Sequence, residues 1–226
     1  MTQSPYFGIM LTLCTYLIGM KIKKKMPHPL VNPLLISILL SIALLKIFQI
    51  PYAHYAIGGQ YITFFIGPAT VALVIPLYHN MEKLRENILP VLGGTLVGAF
   101  TALVSIFFLS RLFGLTEFIS ISVMPQSITT AIAMPLAEEY GGSGSIAALS
   151  VIIRGISGAV IGPAVLQMFK IHSPIAKGVA MGTTSHAVGT SRALELGEVE
   201  GGMSGLSVAL AGIITVFLLP LFELLY

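Results

Sequence analysis

The stretch Gly182–Glu195 places hydroxyl groups, glycines and a histidine between two long apolar runs. Unpaired polar groups at bilayer depth are costly, so a segment of this kind within a membrane is typical of a path for a substrate or an ion. The glycines of the stretch support this interpretation, because glycine lets the backbone approach a ligand closely. The predicted substrate contacts of this stretch are Thr183, Ser185, His186, Gly189 and Thr190.

Among these residues, His186 can change its charge near neutral pH, since an unperturbed histidine titrates at about pH 6.5. A lone histidine is often structural. With Ser185 before it and Thr190 after it, we interpret His186 as a candidate for coupling a substrate to protons. No second histidine lies at metal-ligand spacing from it, so the sequence predicts no metal site.

Arg154 lies in the middle of another apolar run, where a guanidinium group must pair or face water. It can hold a substrate carboxylate by a two-pronged contact. The alternatives are an ion pair with Glu138 or Glu139, or a side chain that extends to the membrane interface.

Three similar motifs, in which threonine precedes a Pro-Leu pair, suggest helix breaks. They are Thr70…Pro76, Thr129…Pro135 and Thr215…Pro220. Proline frees a backbone carbonyl, and two half-helix starts that face each other would form a site for an anion. Ordinary packing within a helix is the alternative. From these regions we add Thr70, Gln126, Thr129 and Thr130 to the predicted substrate contacts.

The composition requires a membrane protein. The chain has 226 residues, of which 55% are hydrophobic and only 9% are charged, whereas a soluble domain has about 25% charged residues. About 20 apolar residues cross a bilayer as a helix, which predicts an all-α polytopic protein with about seven or eight membrane segments. The third, fifth and seventh segments, about 61–78, 117–137 and 174–195, should be broken or re-entrant.

The organisation predicted is one transmembrane domain over residues 1–226. Its parts 6–78 and 146–226 share the threonine-proline motif and can be inverted repeats, as in many secondary transporters, although chance likeness between apolar sequences is the alternative. The lysines of 21–25, with Lys83 and Arg85, predict cytoplasmic loops rather than a nucleic-acid site.

Motifs of common enzyme families are missing from the sequence. It contains no Gly-x-Ser-x-Gly, no Walker loop and no paired metal motif. We therefore predict no enzyme, no catalytic residue and no cofactor.

Five motifs together resemble the LrgB/CidB family of bacterial membrane proteins over nearly the whole chain. They are Asn32-Pro33-Leu34, Gly67–Ala72 with Pro76–Tyr78, Pro125–Ala131, Ile175–Gly178, and Ser185–Thr190 with Ala193–Glu195. The family's bacterial members are named as antiholin-like proteins that modulate murein hydrolase activity and cell lysis with a small LrgA/CidA-type membrane protein. Plant relatives form part of a plastid glycolate/glycerate translocator, and bacterial pairs have been linked to pyruvate uptake.

The resemblance and the polar segment together predict a transporter of small monocarboxylates such as pyruvate, lactate, glycolate or glycerate, coupled to protons or another ion. The alternative is a holin/antiholin-like membrane regulator of murein hydrolase activity and cell lysis. Either way the resemblance implies a multi-pass protein of the bacterial plasma membrane, with the lipid bilayer and an LrgA/CidA-type protein as partners. We expect a homo-oligomer, with a dimer favoured.

Overall fold

The computed structural model describes residues 2–26, 31–65, 68, 78–79 and 81–225, apart from the side chains of Lys83 and Leu84. Every regular element in this part of the chain is helical, as the composition predicted. The chain divides into two compact units, Met1–Ala72 and Leu73–Tyr226.

The helices are numbered in chain order. The first unit contains α1 (Pro5–Lys25), α2 (Pro33–Ile47) and α3 (Tyr52–Phe64). The second unit contains α4 (Met81–Glu86), α5 (Ile88–Leu112), α6 (Glu117–Val123), a 3-10 turn (Met124–Ser127), α7 (Thr130–Glu139), α8 (Gly144–Met168), α9 (Pro174–Leu196) and α10 (Glu198–Glu223).

In the first unit, α1 packs against both α2 and α3 through small residues. A Cβ atom at Gly8 would lie 2.9 Å from the Cα atom of Gly58 on α3, so the two backbones touch where these glycines meet. On the side of α2, Thr15 Oγ1 lies 2.9 Å from Ser37 Oγ. Close backbone approach and hydroxyl contacts of this kind hold helices together in a membrane, where burial of apolar surface cannot do so.

Four helices in the described part of the chain are long and apolar enough to cross a membrane, namely α1, α5, α8 and α10, and α2 is a shorter apolar helix. With 25 residues each, α5 and α8 extend over about 37 Å at ~1.5 Å per residue. The described residues therefore do not confirm the predicted count of seven or eight segments. Two of the predicted segments, the fifth and the seventh, fold back on themselves and do not form complete spans.

The fifth segment is interrupted, as predicted, and the break begins at Pro125. The chain leaves the helical path at Pro125, and Ile128 is fully extended with φ −106° and ψ −179°. After α7 the chain returns to α6. This is shown by the N–H of Ser143, which donates to Ser122 Oγ at 2.7 Å. We call the returning structure α6–turn–α7 hairpin A.

The apolar core of the second unit forms around the turn of hairpin A. It is built from Leu103, Met124, Ile128, Ala133, Leu136, Val151, Ala211, Leu219 and Phe222. These residues come from α5, α7, α8, α10 and the break between α6 and α7. The long helices therefore bury the break inside the second unit.

The seventh segment is a second hairpin. Within α9, His186 has φ 40° and ψ −136°, which no regular helix contains. A Cβ atom at Gly189 would overlap the carbonyl oxygen of Met181, eight residues earlier. Met181 and Ala193 also share one apolar cluster, although a straight helix would separate them by about 18 Å. The arms 174–185 and 187–196 therefore fold back at His186, and we call them hairpin B.

The fifth and seventh segments are thus broken, as predicted. The breaks suggested by the motifs Thr129…Pro135 and Thr215…Pro220 are not found at those prolines, because Pro135 lies inside α7 and Pro220 inside α10. The break predicted in the third segment, at the motif Thr70…Pro76, lies outside the described residues.

Hairpin B packs along the first half of α10. A Cβ atom at Gly182 in the first arm would lie 2.9 Å from the Cα atom of Ser204, and Thr190 Oγ1 in the second arm lies 2.9 Å from Ser204 Oγ. Since Ser204 is six residues beyond the start of α10 and the first arm runs four residues beyond Gly182 to the tip, the tip lies roughly 15 Å along that helix. Hairpin B therefore ends close to the middle of α10.

Candidate functional site

His186 forms the tip of hairpin B and is held against α8. The residue is 5% exposed, and Nε2 of its ring lies 2.9 Å from the carbonyl oxygen of Val151. Because a carbonyl oxygen can only accept, Nε2 carries the hydrogen and donates it. Gly155, one turn further along α8, provides the room, since a Cβ atom there would lie 2.5 Å from the ring atom Cε1. The ring thus anchors the tip.

Arg154 contacts the same tip from α8. Its Nε atom donates to the carbonyl oxygen of Thr184 at 3.0 Å, just before the chain reverses at His186. The side chain is half-buried. Among the described residues its guanidinium has no other hydrogen-bond acceptor within reach, so the two Nη groups are available to a ligand.

A cavity of about 440 Å³ lies beside Arg154. Gln126 from the turn of hairpin A and Thr184 from the tip of hairpin B line it from two sides, and Ser157 and Arg154 line it from α8. The remaining lining is aliphatic, with methionine and glycine. A concave, mostly apolar cavity with a few polar groups at one place is the usual form of a small-molecule site.

Of the ten predicted contacts, Gln126 and Arg154 line this cavity. Five of the predicted contacts lie in hairpin B, where they are buried and pack against its surroundings. They are Thr183, Ser185, His186, Gly189 and Thr190. The hydroxyl of Thr183 donates to the carbonyl oxygen of Val179 at 2.7 Å, and that of Thr190 donates to the carbonyl oxygen of His186 at 3.0 Å. These side chains fix the position of the tip.

The other predicted contacts lie elsewhere. Thr129 precedes the first residue of α7, and Thr130 is that first residue. Neither of them lines the cavity beside Arg154. Thr70 lies outside the described residues.

The structure adds two residues that the sequence argument missed, Ser157 and Thr184. Ser157 follows Arg154 by three residues on a helix, so both lie on one face, and this spacing could have identified it. Thr184 could not be separated from its neighbours, because the exact place of the reversal decides which hydroxyl of the stretch faces outward.

A second cavity of about 450 Å³ runs between α5 and the first arm of hairpin B. Its lining extends from Asn87 and Ser173, next to the starts of these helices, to Thr183 and Thr184 near the tip. Thr184 and Ala180 line both cavities. The first arm therefore separates the Arg154 cavity from a cleft that extends toward one end of the second unit.

No group of three His, Cys, Asp or Glu side chains comes together within the described ranges. The chemistry of the cavity is that of one cation with neutral hydrogen-bonding groups.

Comparison with known proteins assigns the chain to a family. The model of the LrgB-like family matches residues 12–225. The chain is 36% identical over 222 residues to "Antiholin-like protein LrgB" of Bacillus cereus (strain B4264), covering 98% of this chain and 96% of that protein. The same identity and coverage hold for the protein of that name from Bacillus anthracis (strain A0248). No solved structure gives a significant match. The chain therefore belongs to the LrgB-like family of membrane proteins.

Proposed function

We propose that this chain is an antiholin-like protein of a bacterial plasma membrane, and that it modulates murein hydrolase activity and cell lysis together with a small LrgA-type membrane protein. The observation that carries the proposal is the 36% identity over 98% of the chain to proteins named antiholin-like. The membrane-crossing helices are consistent with it.

A bacterial strain that lacks its own LrgB-type protein and LrgA-type partner provides the test. Three strains are compared: one produces the chain alone, one produces it with an LrgA-type partner, and one produces neither. The membrane level of the chain is matched between the first two. Release of a cytoplasmic enzyme and murein hydrolase activity in the culture fluid are measured. The proposal expects both to change when chain and partner are present together. Identical values in all three strains would contradict it.

A second candidate function is transport of small monocarboxylates, and a specific observation favours it. The tips of two hairpins meet α8 at a cavity that contains one arginine, and Arg154 is already oriented by the carbonyl oxygen of Thr184. A regulator that acts only through helix packing needs neither feature. Discontinuous helices whose ends meet at the midplane support substrate sites in secondary transporters.

Uptake of labelled pyruvate and glycolate into proteoliposomes tests this candidate. Arg154→Gln should abolish uptake, and Arg154→Lys should weaken it, because a lysine keeps the charge and loses the planar two-pronged contact. Arg192→Gln is the matched control, since Arg192 pairs with Glu195 at the base of hairpin B and lies outside the cavity. Equal uptake by Arg154→Gln and wild type would leave Arg154 with a structural role only.

The same variants separate the two functions in cells. If lysis control depends on carboxylate movement, Arg154→Gln should lose both uptake and the effect on murein hydrolase activity. If it depends on helix contacts with a partner, Arg154→Gln should lose uptake alone.

A further inference from the structure

We propose that the side-chain amide of Gln126 determines the specificity of the cavity beside Arg154, by binding the oxygen atom on the carbon next to the carboxylate of the ligand. The cavity then selects 2-oxo and 2-hydroxy monocarboxylates over acids of the same shape that carry no oxygen at that carbon. The inference rests on the transport candidate proposed above and deepens it, because it assigns the recognition of the second polar group of the substrate.

The turn of hairpin A brings Gln126 close to Arg154. Met124 and Ile128, on either side of Gln126, share one apolar cluster with Val151 of α8. Arg154 follows Val151 by three residues and lies on the same face of that helix. Gln126 is the only residue of the turn that lines the cavity, and it is half-buried whereas its neighbours on both sides are buried. A buried backbone therefore holds the amide near the guanidinium group.

Arg154 provides the contact for the carboxylate. Of the described residues that line the cavity, only Arg154 is charged. Its Nε atom donates to the carbonyl oxygen of Thr184, which leaves the Nη groups for a ligand. A two-pronged contact with one carboxylate uses both of these groups. A further oxygen atom of the ligand therefore needs a partner elsewhere in the lining.

The hydroxyl groups near Arg154 can only accept a hydrogen bond from a ligand. Ser157 donates its hydroxyl hydrogen to the carbonyl oxygen of Ile153 at 2.7 Å. Thr184 donates its own to the carbonyl oxygen of Ala180 at 2.7 Å. The lone pairs that remain suit the hydroxyl hydrogen of a 2-hydroxy acid. They cannot bind the carbonyl oxygen of a 2-oxo acid, because that oxygen needs a donor.

The amide of Gln126 supplies the missing donor. Gln126 and Arg154 are the only described lining residues whose side chains carry N–H groups, and the amide makes no hydrogen bond within the described part of the chain. Its Nε2 atom can donate to the 2-oxygen of either kind of acid, and its Oε1 atom can accept from a 2-hydroxyl group. An acid with a methyl or methylene group at that place leaves the amide unpaired, which lowers affinity.

Pairs of acids with nearly equal shape provide the test. They are pyruvate with methacrylate, lactate with isobutyrate, and glycolate with propionate. Within each pair the 2-oxygen is replaced by a methylene or methyl group, and both acids carry a single negative charge at neutral pH. Equilibrium binding to the purified full-length chain in nanodiscs is measured for all six. We expect each oxygenated acid to bind about tenfold more tightly than its counterpart.

Two kinds of variant should change the selectivity in opposite directions. Gln126→Leu should lower the affinity for pyruvate about tenfold, to that for methacrylate, and leave methacrylate unchanged. It should keep part of the preference for lactate, because Ser157 and Thr184 still accept the hydroxyl hydrogen. Ser157→Ala combined with Thr184→Val should weaken the preference for lactate and keep that for pyruvate. Gln167→Leu, at an exposed glutamine of α8 outside the cavity, is the matched control and should bind all six acids as wild type does.

Two outcomes would overturn the inference. Equal affinity of the wild type for pyruvate and methacrylate would mean that no donor reaches the 2-oxygen. An equal loss of both acids in Gln126→Leu and in Gln126→Met, which keeps the length of the side chain, would mean that Gln126 only holds the turn in place. Uptake in proteoliposomes distinguishes the two proposals: the predicted binding preference without uptake rejects transport alone, and equal binding and uptake of pyruvate and methacrylate rejects this inference alone.

Discussion

At the scale of single residues, the backbone of His186 decides the shape of hairpin B. Its φ of 40° is a conformation that glycine adopts readily and that costs other residues about 1–3 kcal/mol. The hydrogen bond from its ring to the carbonyl oxygen of Val151 and the burial of the ring offset that cost. His186 therefore has a structural role in addition to the coupling role that the sequence predicted and that remains to be tested.

We predict that His186→Gly destabilises the protein less than His186→Ala does. Both lose the ring, but only alanine keeps the unfavourable φ, so the difference should be about 1–2 kcal/mol in favour of glycine. The midpoint of thermal unfolding in detergent measures it. Ala187→Gly, at the next and regular helical position, is the control and should lower stability by about 1 kcal/mol. Alanine as the better tolerated residue at 186 would contradict the strained backbone.

Two buried threonines differ in their hydrogen bonds and should differ in their response to valine. Thr190 contacts the carbonyl oxygen of His186 and Ser204 Oγ, whereas Thr215 Oγ1 has no partner among the described residues. Thr190→Val should therefore cost about 1–3 kcal/mol, and Thr215→Val should be neutral or slightly stabilising. Unfolding midpoints of the two variants provide the comparison, and an equal loss in both would show that Thr215 also has a partner.

At the scale of elements, hairpin B depends on small residues of α8. A Cβ atom at Gly155 would lie 2.6 Å from Nε2 of His186, and one at Gly158 would overlap Ser185 Oγ. The tip can approach α8 closely because both positions lack a side chain. The contact that places Thr184 against Arg154 follows from this approach.

Gly155→Ala should push the tip away from α8 and lower stability by about 1–3 kcal/mol. Gly93 on α5 is the matched control, because a Cβ atom there meets nothing within 4 Å. Gly93→Ala should raise stability by about 0.5–1 kcal/mol, as expected for glycine replaced in a helix interior. The measurement is again thermal unfolding, and a Gly155→Ala variant as stable as Gly93→Ala would argue against close packing of the tip.

At the scale of the second unit, hairpin B decides on which side of the membrane its neighbouring helices begin and end. A complete seventh span would place its two ends on opposite sides of the membrane, whereas a hairpin returns to the side from which it started. Arg111 Nη2 donates to the carbonyl oxygen of Leu225 at 2.5 Å, so α5 and α10 end on one side and begin on the other. Basic residues near the beginning side include Arg85, Lys170, Lys177 and Arg192. The positive-inside rule therefore predicts that this side faces the cytoplasm.

We predict that His172→Cys and Glu198→Cys, at the two ends of hairpin B, are both protected from an impermeant thiol reagent in intact cells. Glu139→Cys, at the far end of α7, should be labelled. Cys14 is first replaced by serine, since it is exposed. Labelling of one of the two hairpin positions and protection of the other would restore a complete seventh span.

The sequence by itself determined the helical membrane class and that the fifth and seventh segments are interrupted, because hydropathy, proline and runs of hydroxyl groups act through the local chain. It also singled out Gln126 and Arg154, which line the cavity. It did not determine the direction of the chain after each break. One residue with φ 40° at His186 reverses α9, and the reversal is stabilised by Gly155 and Ser204, which are distant in sequence. For that reason only the tertiary structure decided that the histidine anchors the tip and that Thr184 lies beside the arginine.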